Sequence, residues 1–243
     1  MKIGILEAGR PPEELASFGS YAEMLENFVR RAADTDEFSF KVYAVMDGEF
    51  PDSAQDCDGW MITGSRNGVY DKLPWMEPLQ TLIREIHAAQ RPLFGICFGH
   101  QIIAAAMGGE VVKSDKGWGV GLHDYQLAAQ TPDWLQTDKN KLTLNAMHQD
   151  QVVSIPPSAQ VLAGSAFCEY AALLYGDSMV SFQGHPEFAT DYERALLKLR
   201  QTALIPDELA EPALQRLSQP GEKDDGQLVS DWAVEFFRRH NNS

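Results

Sequence analysis

The stretch Pro92-Leu93-Phe94-Gly95-Ile96-Cys97-Phe98-Gly99-His100-Gln101-Ile102-Ile103-Ala104-Ala105-Ala106-Met107 decides the architecture. Its first five residues form a short apolar run that predicts a buried strand over 92–96, and 98–107 predicts the following helix, closed by Gly108-Gly109. Glycines two positions on either side of Cys97 have the spacing of a nucleophile elbow, with cysteine where serine is usual. Small flanks let strand and helix pack closely around a strained turn that pushes the central side chain out at the end of the sheet. The helix N-terminus then favours an anion on the sulfur and leaves the Phe98 amide free to donate to an oxyanion. Cys57 and Cys168 have no such flanks and read as buried small hydrophobes.

Working outward, 2–6 reads as a buried first strand ended by a turn-rich loop. Tyr21, Met24, Leu25, Phe28 and Ala32 recur at helical spacing, and 38–45 alternates into a second strand. A third apolar run, 59–63, leads into Gly64-Ser65-Arg66-Asn67-Gly68, a loop beyond a strand end, where ligands bind in open α/β sheets. Leu79, Leu82, Ile83 and Ile86 stripe a helix that stops near Arg91-Pro92. Between 110 and 182 the pattern changes to short strands (110–113, 121–128, 142–146, 161–165, 171–175 and 178–182), some of them expected to pair antiparallel. Helices return at 192–201 and 207–218. After an exposed polar loop at 219–226, a final stripe of Val229, Trp232, Ala233 and Phe236 is expected to dock on the sheet. The fold expected is α/β and three-layered: a mostly parallel central sheet flanked by helices, with a smaller antiparallel portion. With no internal repeat or convincing boundary, residues 1–243 read as one domain carrying a helical extension from about 203.

Composition narrows the function. The 243 residues are 44% hydrophobic and 23% charged, which excludes a disordered or low-complexity chain. Twenty Lys and Arg against 35 Asp and Glu leave a net charge of −15, which repels nucleic acid. Three scattered cysteines suit a reducing compartment, and no Cys-x-x-Cys pair suggests zinc. The opening turns polar too soon for a signal peptide, and no apolar run reaches membrane-spanning length, so the expectation is a cytoplasmic protein with no membrane partner.

A cysteine nucleophile needs a base, and the base needs an orienting group. Of six histidines, only His185 has a carboxylate at a useful offset. In Gly184-His185-Pro186-Glu187 the proline disfavours helix, and an extended backbone puts residues i and i+2 on the same side, so Glu187 can fix the imidazole tautomer. A His-Pro turn with a solvated glutamate is the plainer alternative. His100 follows the elbow and is expected to pack there, His87 and His240 read as surface helix residues, and His123 and His148 are left open. None shows the His-Glu-x-x-His spacing of a zinc hydrolase, so neither metal nor cofactor is expected.

Three blocks together resemble the class I, triad-type glutamine amidotransferase domain, over residues 2–200: Gly95-Ile96-Cys97-Phe98-Gly99-His100-Gln101, Met147-His148-Gln149-Asp150-Gln151-Val152, and Phe182-Gln183-Gly184-His185-Pro186-Glu187-Phe188. The resemblance implies the flavodoxin-like fold of that family, with Cys97 as nucleophile, His185 as acid/base and Glu187 as its partner. It further implies an oxyanion hole from the Phe98 amide and an amide of Gly64-Ser65, and an amino-acid site made by Gln101 with Met147, Gln149 and Asp150. Many relatives carry Gly-Pro where this chain has Ser65-Arg66, and glycine where it has Gln149.

The implied reaction is thiolate attack on a γ-carboxamide, release of ammonia or an amine, and hydrolysis of the thioester. Neither a Gly-x-x-x-x-Gly-Lys-Ser/Thr loop nor a Ser-Gly-Gly-x-Asp-Ser loop occurs, so ATP chemistry is not expected of this chain. Two enzyme readings follow: a stand-alone hydrolase resembling γ-glutamyl peptidases, or a glutaminase subunit feeding ammonia to a partner synthetase. Phe98 within the elbow, Val69-Tyr70-Asp71, Pro74-Trp75 and the solitary domain look closer to the stand-alone, GMP-synthetase-like group, which favours the first on mechanism and leaves the substrate open. A non-catalytic binding relative, or a stress protein with a reactive elbow cysteine, is the contrasting class, and the intact Cys97, His185 and Glu187 argue against it.

Overall fold

Strand β1 (Lys2–Leu6) exposes only Lys2, as a strand covered on both faces should. The structure is a computed structural model describing residues 1–34 and 36–241. In it β1 lies between β2 (Ser39–Tyr43) and β3 (Gly59–Ile62), parallel to both. β4 (Leu93–Ile96) continues the parallel set beside β3, and β11 (Met179–Phe182) lies parallel on its far side. Beyond β11 the direction alternates through β10 (Ala172–Tyr175), β9 (Ala159–Gly164), β6 (Gly119–Leu127) and β7 (Lys141–His148), completing a nine-stranded mixed sheet among the described residues. β5 (Glu110–Lys113) and β8 (Asp150–Ser154) form a small antiparallel sheet apart from it.

The period-2 alternation of the strands sorts the core into two layers. Ile3, Ile5, Met61, Phe94 and Ile96 face one side, where α1 (Tyr21–Arg30) and α6 (Gly226–Asn241) bury Leu25, Phe28, Val29, Val229, Trp232 and Phe236 against them. Leu6, Trp60, Ile62 and Leu93 face the other side, under α2 (Met76–Ala88) and α3 (Phe98–Ala106). A third cluster joins α4 (Thr190–Arg200) and α5 (Asp207–Leu217) to β6 and β7 through Tyr192, Leu196, Leu217, Val120 and Met147. The expected three-layer α/β arrangement and the docking of the terminal stripe are both present.

α1 starts at a capping box, Glu23 N donating to Ser20 Oγ at 3.1 Å and Ser20 N to Glu23 Oε2 at 2.7 Å. It ends before Ala32, which the spacing had included. The strand expected over 38–45 stops at Tyr43, because Val45–Asp47 turns into a 3-10 helix that ends at the left-handed Gly48. β8 and a 3-10 turn, Glu13–Phe18, were not read from the sequence. β8 opens with two polar residues and is a strand because β5 pairs with it. The loop at 219–226 is exposed only in part: Gly226 is buried and Asp225 N donates to Thr143 O at 2.7 Å.

Candidate active site

β4 ends at Ile96 and α3 starts at Phe98, so Cys97 makes the turn alone, with φ 52° and ψ −102°. A non-glycine residue held there stores about 1–3 kcal/mol of strain. Cys97 N donates to Phe182 O at 2.8 Å and Cys97 O accepts from Gln101 N at 3.0 Å, which fixes the corner from both sides. The flanking glycines have the steric reason the sequence suggested. A Cβ on Gly95 would stand 2.9 Å from the Gly99 backbone, and one on Gly99 would stand 2.6 Å from Ile62 O. The first amides of α3, Phe98 among them, lack intrahelical acceptors by the geometry of any helix start.

β11 delivers the second part of the site. Its continuation places His185 N on Asn145 O of β7 at 2.7 Å, and Asn145 Nδ2 donates to Phe188 O at 3.1 Å. The Phe188 ring stacks on the imidazole at 3.9 Å with 9° between planes. His185 Nδ1 then meets Glu187 Oε1 at 2.7 Å, both side chains 4% exposed. Burial alone would push the imidazole pKa down. The Glu187 carboxylate and the Cys97 sulfur, through charge and hydrogen bonding, instead hold it well above its ordinary value. A Cβ on Gly64 would lie 3.2 Å from His185 Cε1 and 3.9 Å from Cys97 Cβ, so the Gly64 backbone faces the gap between the two.

Cys97 lines a cleft of about 910 Å3, together with Ser65, Gln101, Met147, Gln149 and Asp150 from the sequence prediction. Gly64 and Phe98 are buried beside it. Gln101 is already engaged: its Nε2 donates to Asp150 O at 3.0 Å and to Gln183 Oε1 at 3.1 Å. Asp150 Oδ1 accepts from Tyr70 OH at 2.8 Å, which ties the loop after β3 to β8 across the cleft.

Gln183, which received no role from the sequence although it stands in the third motif block, directs its Nε2 at Cys97 Sγ from 3.7 Å. His148 lines the cleft, donates from Nδ1 to Asp150 O at 3.1 Å and is pushed down to about 3 by burial, with His123 adding to the effect. His100 is likewise buried, with Nδ1 on Ser181 Oγ at 2.8 Å. His87 and His240, expected at the surface, are half-buried, His240 donating from Nδ1 to Phe236 O at 2.8 Å. Cys57 and Cys168 are buried free thiols, and burial pushes that of Cys168 up to about 12. Among the described residues no three His, Cys, Asp or Glu side chains form a metal-binding group, and no helix is long and apolar enough to cross a membrane.

The class-I glutamine amidotransferase family matches residues 18–200. A glutamine amidotransferase-like protein of Schizosaccharomyces pombe is 29% identical over 234 residues, covering 91% of this chain and 94% of that protein. Gamma-glutamyl peptidase 4 of Arabidopsis thaliana is 30% identical over 195 residues, 77% of this chain and 76% of the relative. The crystal structure of a glutamine amidotransferase from Thermotoga maritima matches with a TM-score of 0.77 over 100% of this chain and 99% of its own at 19% identity, a likeness of fold.

Proposed function

The chain belongs to the class I glutamine amidotransferase family, and from that premise we propose that it is a stand-alone cysteine hydrolase that opens the γ-glutamyl amide bond through a γ-glutamyl thioester. The carrying observation is Cys97 held at positive φ on the cleft, with the imidazole of the buried His185–Glu187 pair within hydrogen-bonding reach of its sulfur.

The Cys97 thiolate attacks the γ-carbonyl carbon and the carbonyl π pair moves onto oxygen. Phe98 N–H and an amide of Gly64-Ser65 stabilise that oxyanion. As the intermediate collapses, the C–N bond breaks and the imidazolium of His185 passes its proton to the departing nitrogen. The neutral imidazole then takes a proton from water, hydroxide attacks the thioester, and glutamate leaves with Cys97 again a thiolate. Glu187, bonded to Nδ1, keeps the proton-carrying nitrogen turned to the sulfur and offsets the charge that His185 acquires. The sequence match to a gamma-glutamyl peptidase over 77% of the chain supports hydrolysis of the γ-glutamyl amide. The cleft is near the upper end of the roughly 300–1,000 Å3 typical of small-molecule sites, room for a leaving group larger than ammonia.

Glutamate release from glutamine and from a γ-glutamyl dipeptide tests the reading. Release from the dipeptide is expected, falling about a thousandfold or more in Cys97→Ala. Activity that survives that substitution overturns the mechanism. Release from glutamine with none from the dipeptide replaces the stand-alone reading with that of a subunit supplying ammonia to a synthetase.

A further inference from the structure

The family match stops at residue 200, yet the chain beyond it returns to the segment that carries His185 and Glu187. The return is made at the head of α6. Asp225 N donates to Thr143 O at 2.7 Å, and Thr143 N donates back to Asp225 Oδ2 at 2.8 Å, so one residue clasps both backbone groups of a β7 position. Lys139 pairs with the same carboxylate. Two residues along β7, Asn145 holds His185 N and Phe188 O. On the other side Arg31, the residue that caps α1, donates from Nη2 to Pro186 O and to Gly226 O, each at 2.6 Å. Pro186 is the residue between His185 and Glu187.

These contacts close a ring. From Asp225 it runs through Thr143 and Asn145 to His185 and Pro186, then through Arg31 back to Gly226. Its tightness is visible at Gly226, where an added Cβ would lie 2.5 Å from Pro186 O, 2.7 Å from Asp224 Oδ1 and 3.1 Å from Arg31 Nη2. The main-chain oxygen of the base segment is therefore packed directly on the first turn of the C-terminal helix. The charged groups around the guanidinium are Asp224 and Asp231 from the α6 side and Glu187 from the base segment.

We propose that Arg31 and the Asp225–Gly226 corner are positioning elements of the active site, holding the His185–Glu187 pair in register with Cys97, so that the C-terminal helix serves proton transfer as well as stability. The proposal rests on the roles given above to Cys97, His185 and Glu187. It assigns no catalytic contact to Arg31, which acts through Pro186.

Three full-length variants test it. Gly226→Ala presses on Pro186 O while keeping a residue suited to a helix. Arg31→Met removes both donors at similar length, and Arg31→Lys restores a cation able to reach one carbonyl. Against a γ-glutamyl dipeptide, G226A and R31M are expected to lose about tenfold or more in kcat with KM within about twofold, and R31K to recover part of the loss. Alkylation of Cys97 by iodoacetamide, followed by mass spectrometry of its peptide across pH, reads the cysteine–imidazole couple without any substrate. Its midpoint is expected to move by about half a unit or more in G226A and R31M. An alkylation profile identical to wild type in both variants overturns the proposal, whether kcat is unchanged or falls along with the melting temperature, since the latter is what a purely structural role predicts. A wild-type protein inactive on every γ-glutamyl amide would instead remove the proposed function, while the alkylation profiles still decide whether the ring positions the base.

Discussion

Glu193 is a buried carboxyl with no role in the proposed mechanism and a clear thermodynamic consequence. It is 0% exposed on α4; Oε1 accepts from Gly121 N at 3.2 Å and Oε2 meets no donor. Burial raises its carboxyl by more than His185, the Gly121 amide and Arg200 lower it, so its pKa goes from 4.5 up to about 7. The folded chain thus holds this proton more tightly than the unfolded one. The penalty is absent below pH 4.5, grows as pH rises, and is complete above about pH 7, where it amounts to about 3 kcal/mol. Glu193→Gln keeps the acceptor for Gly121 and removes the charge. It is expected to melt higher than wild type at pH 8, by less than the full penalty because its amide hydrogens lack partners, with the gap closing near pH 4.5. Thermal melts at the two pH values check this, and a gap independent of pH would show that charge burial is not the cause. That Cys97, His185 and Glu187 lie together was legible in the sequence because their neighbours in the chain, glycines and a proline, carry the geometry. Glu193 was not, since along 192–201 it is one more polar residue, and nothing in the chain around it signals that α4 packs it against β6, where Gly121 N donates to it.

At the scale of elements, the contact of α3 with β3 and β4 decides whether the tight turn at Cys97 can form. Gly99 has no positive φ to protect, and in a helix alanine is ordinarily better than glycine by about 1 kcal/mol. Here the added methyl meets Ile62 O at 2.6 Å, a backbone atom of β3 that cannot rotate away. Overpacking of about 1–3 kcal/mol outweighs the propensity gain. Gly99→Ala is therefore expected to lower stability and to cut kcat further than the stability loss explains, because α3 can relieve the clash only by moving Cys97 and the Phe98 amide. Urea unfolding beside single-turnover rates separates the two effects, and a more stable, fully active variant would show that the helix has room. The same contact explains what could be read in advance. Strands β1, β3 and β4 are buried on both faces and appear as plain apolar runs, and α1 and α2 carry clean stripes. β8 was invisible because its strand character comes from β5, and the Asp225–Gly226 corner because a polar loop gives no sign that its end is pinned to another strand.

For the whole molecule the largest unspent quantity is charge. Twenty cations against 35 anions leave −15 on a body whose radius of gyration is about 18 Å by the scaling for compact chains. Moving from about 0.01 to 0.15 M salt shortens the screening length from about 30 Å to about 8 Å, so repulsion across the molecule fades. Salt also weakens exposed pairs such as Arg238–Glu37 and Arg216–Glu222. Pairs of that kind contribute about 0–1 kcal/mol each and act at contact distance, so the long-range repulsion should dominate the response. The melting temperature at pH 8 is therefore expected to rise with sodium chloride, each kcal/mol relieved adding about 2–4 °C, and to respond little near the isoelectric point of 4.7. Around the cleft the balance differs, Arg10, Arg66, Lys113 and Arg200 standing against Glu13, Glu14, Asp71 and Asp150. Because these charges cancel locally, KM for a γ-glutamyl dipeptide should stay flat over the same salt range in which stability climbs. A falling melting temperature at pH 8 would mean that local ion pairs, rather than net charge, govern the fold's response to salt.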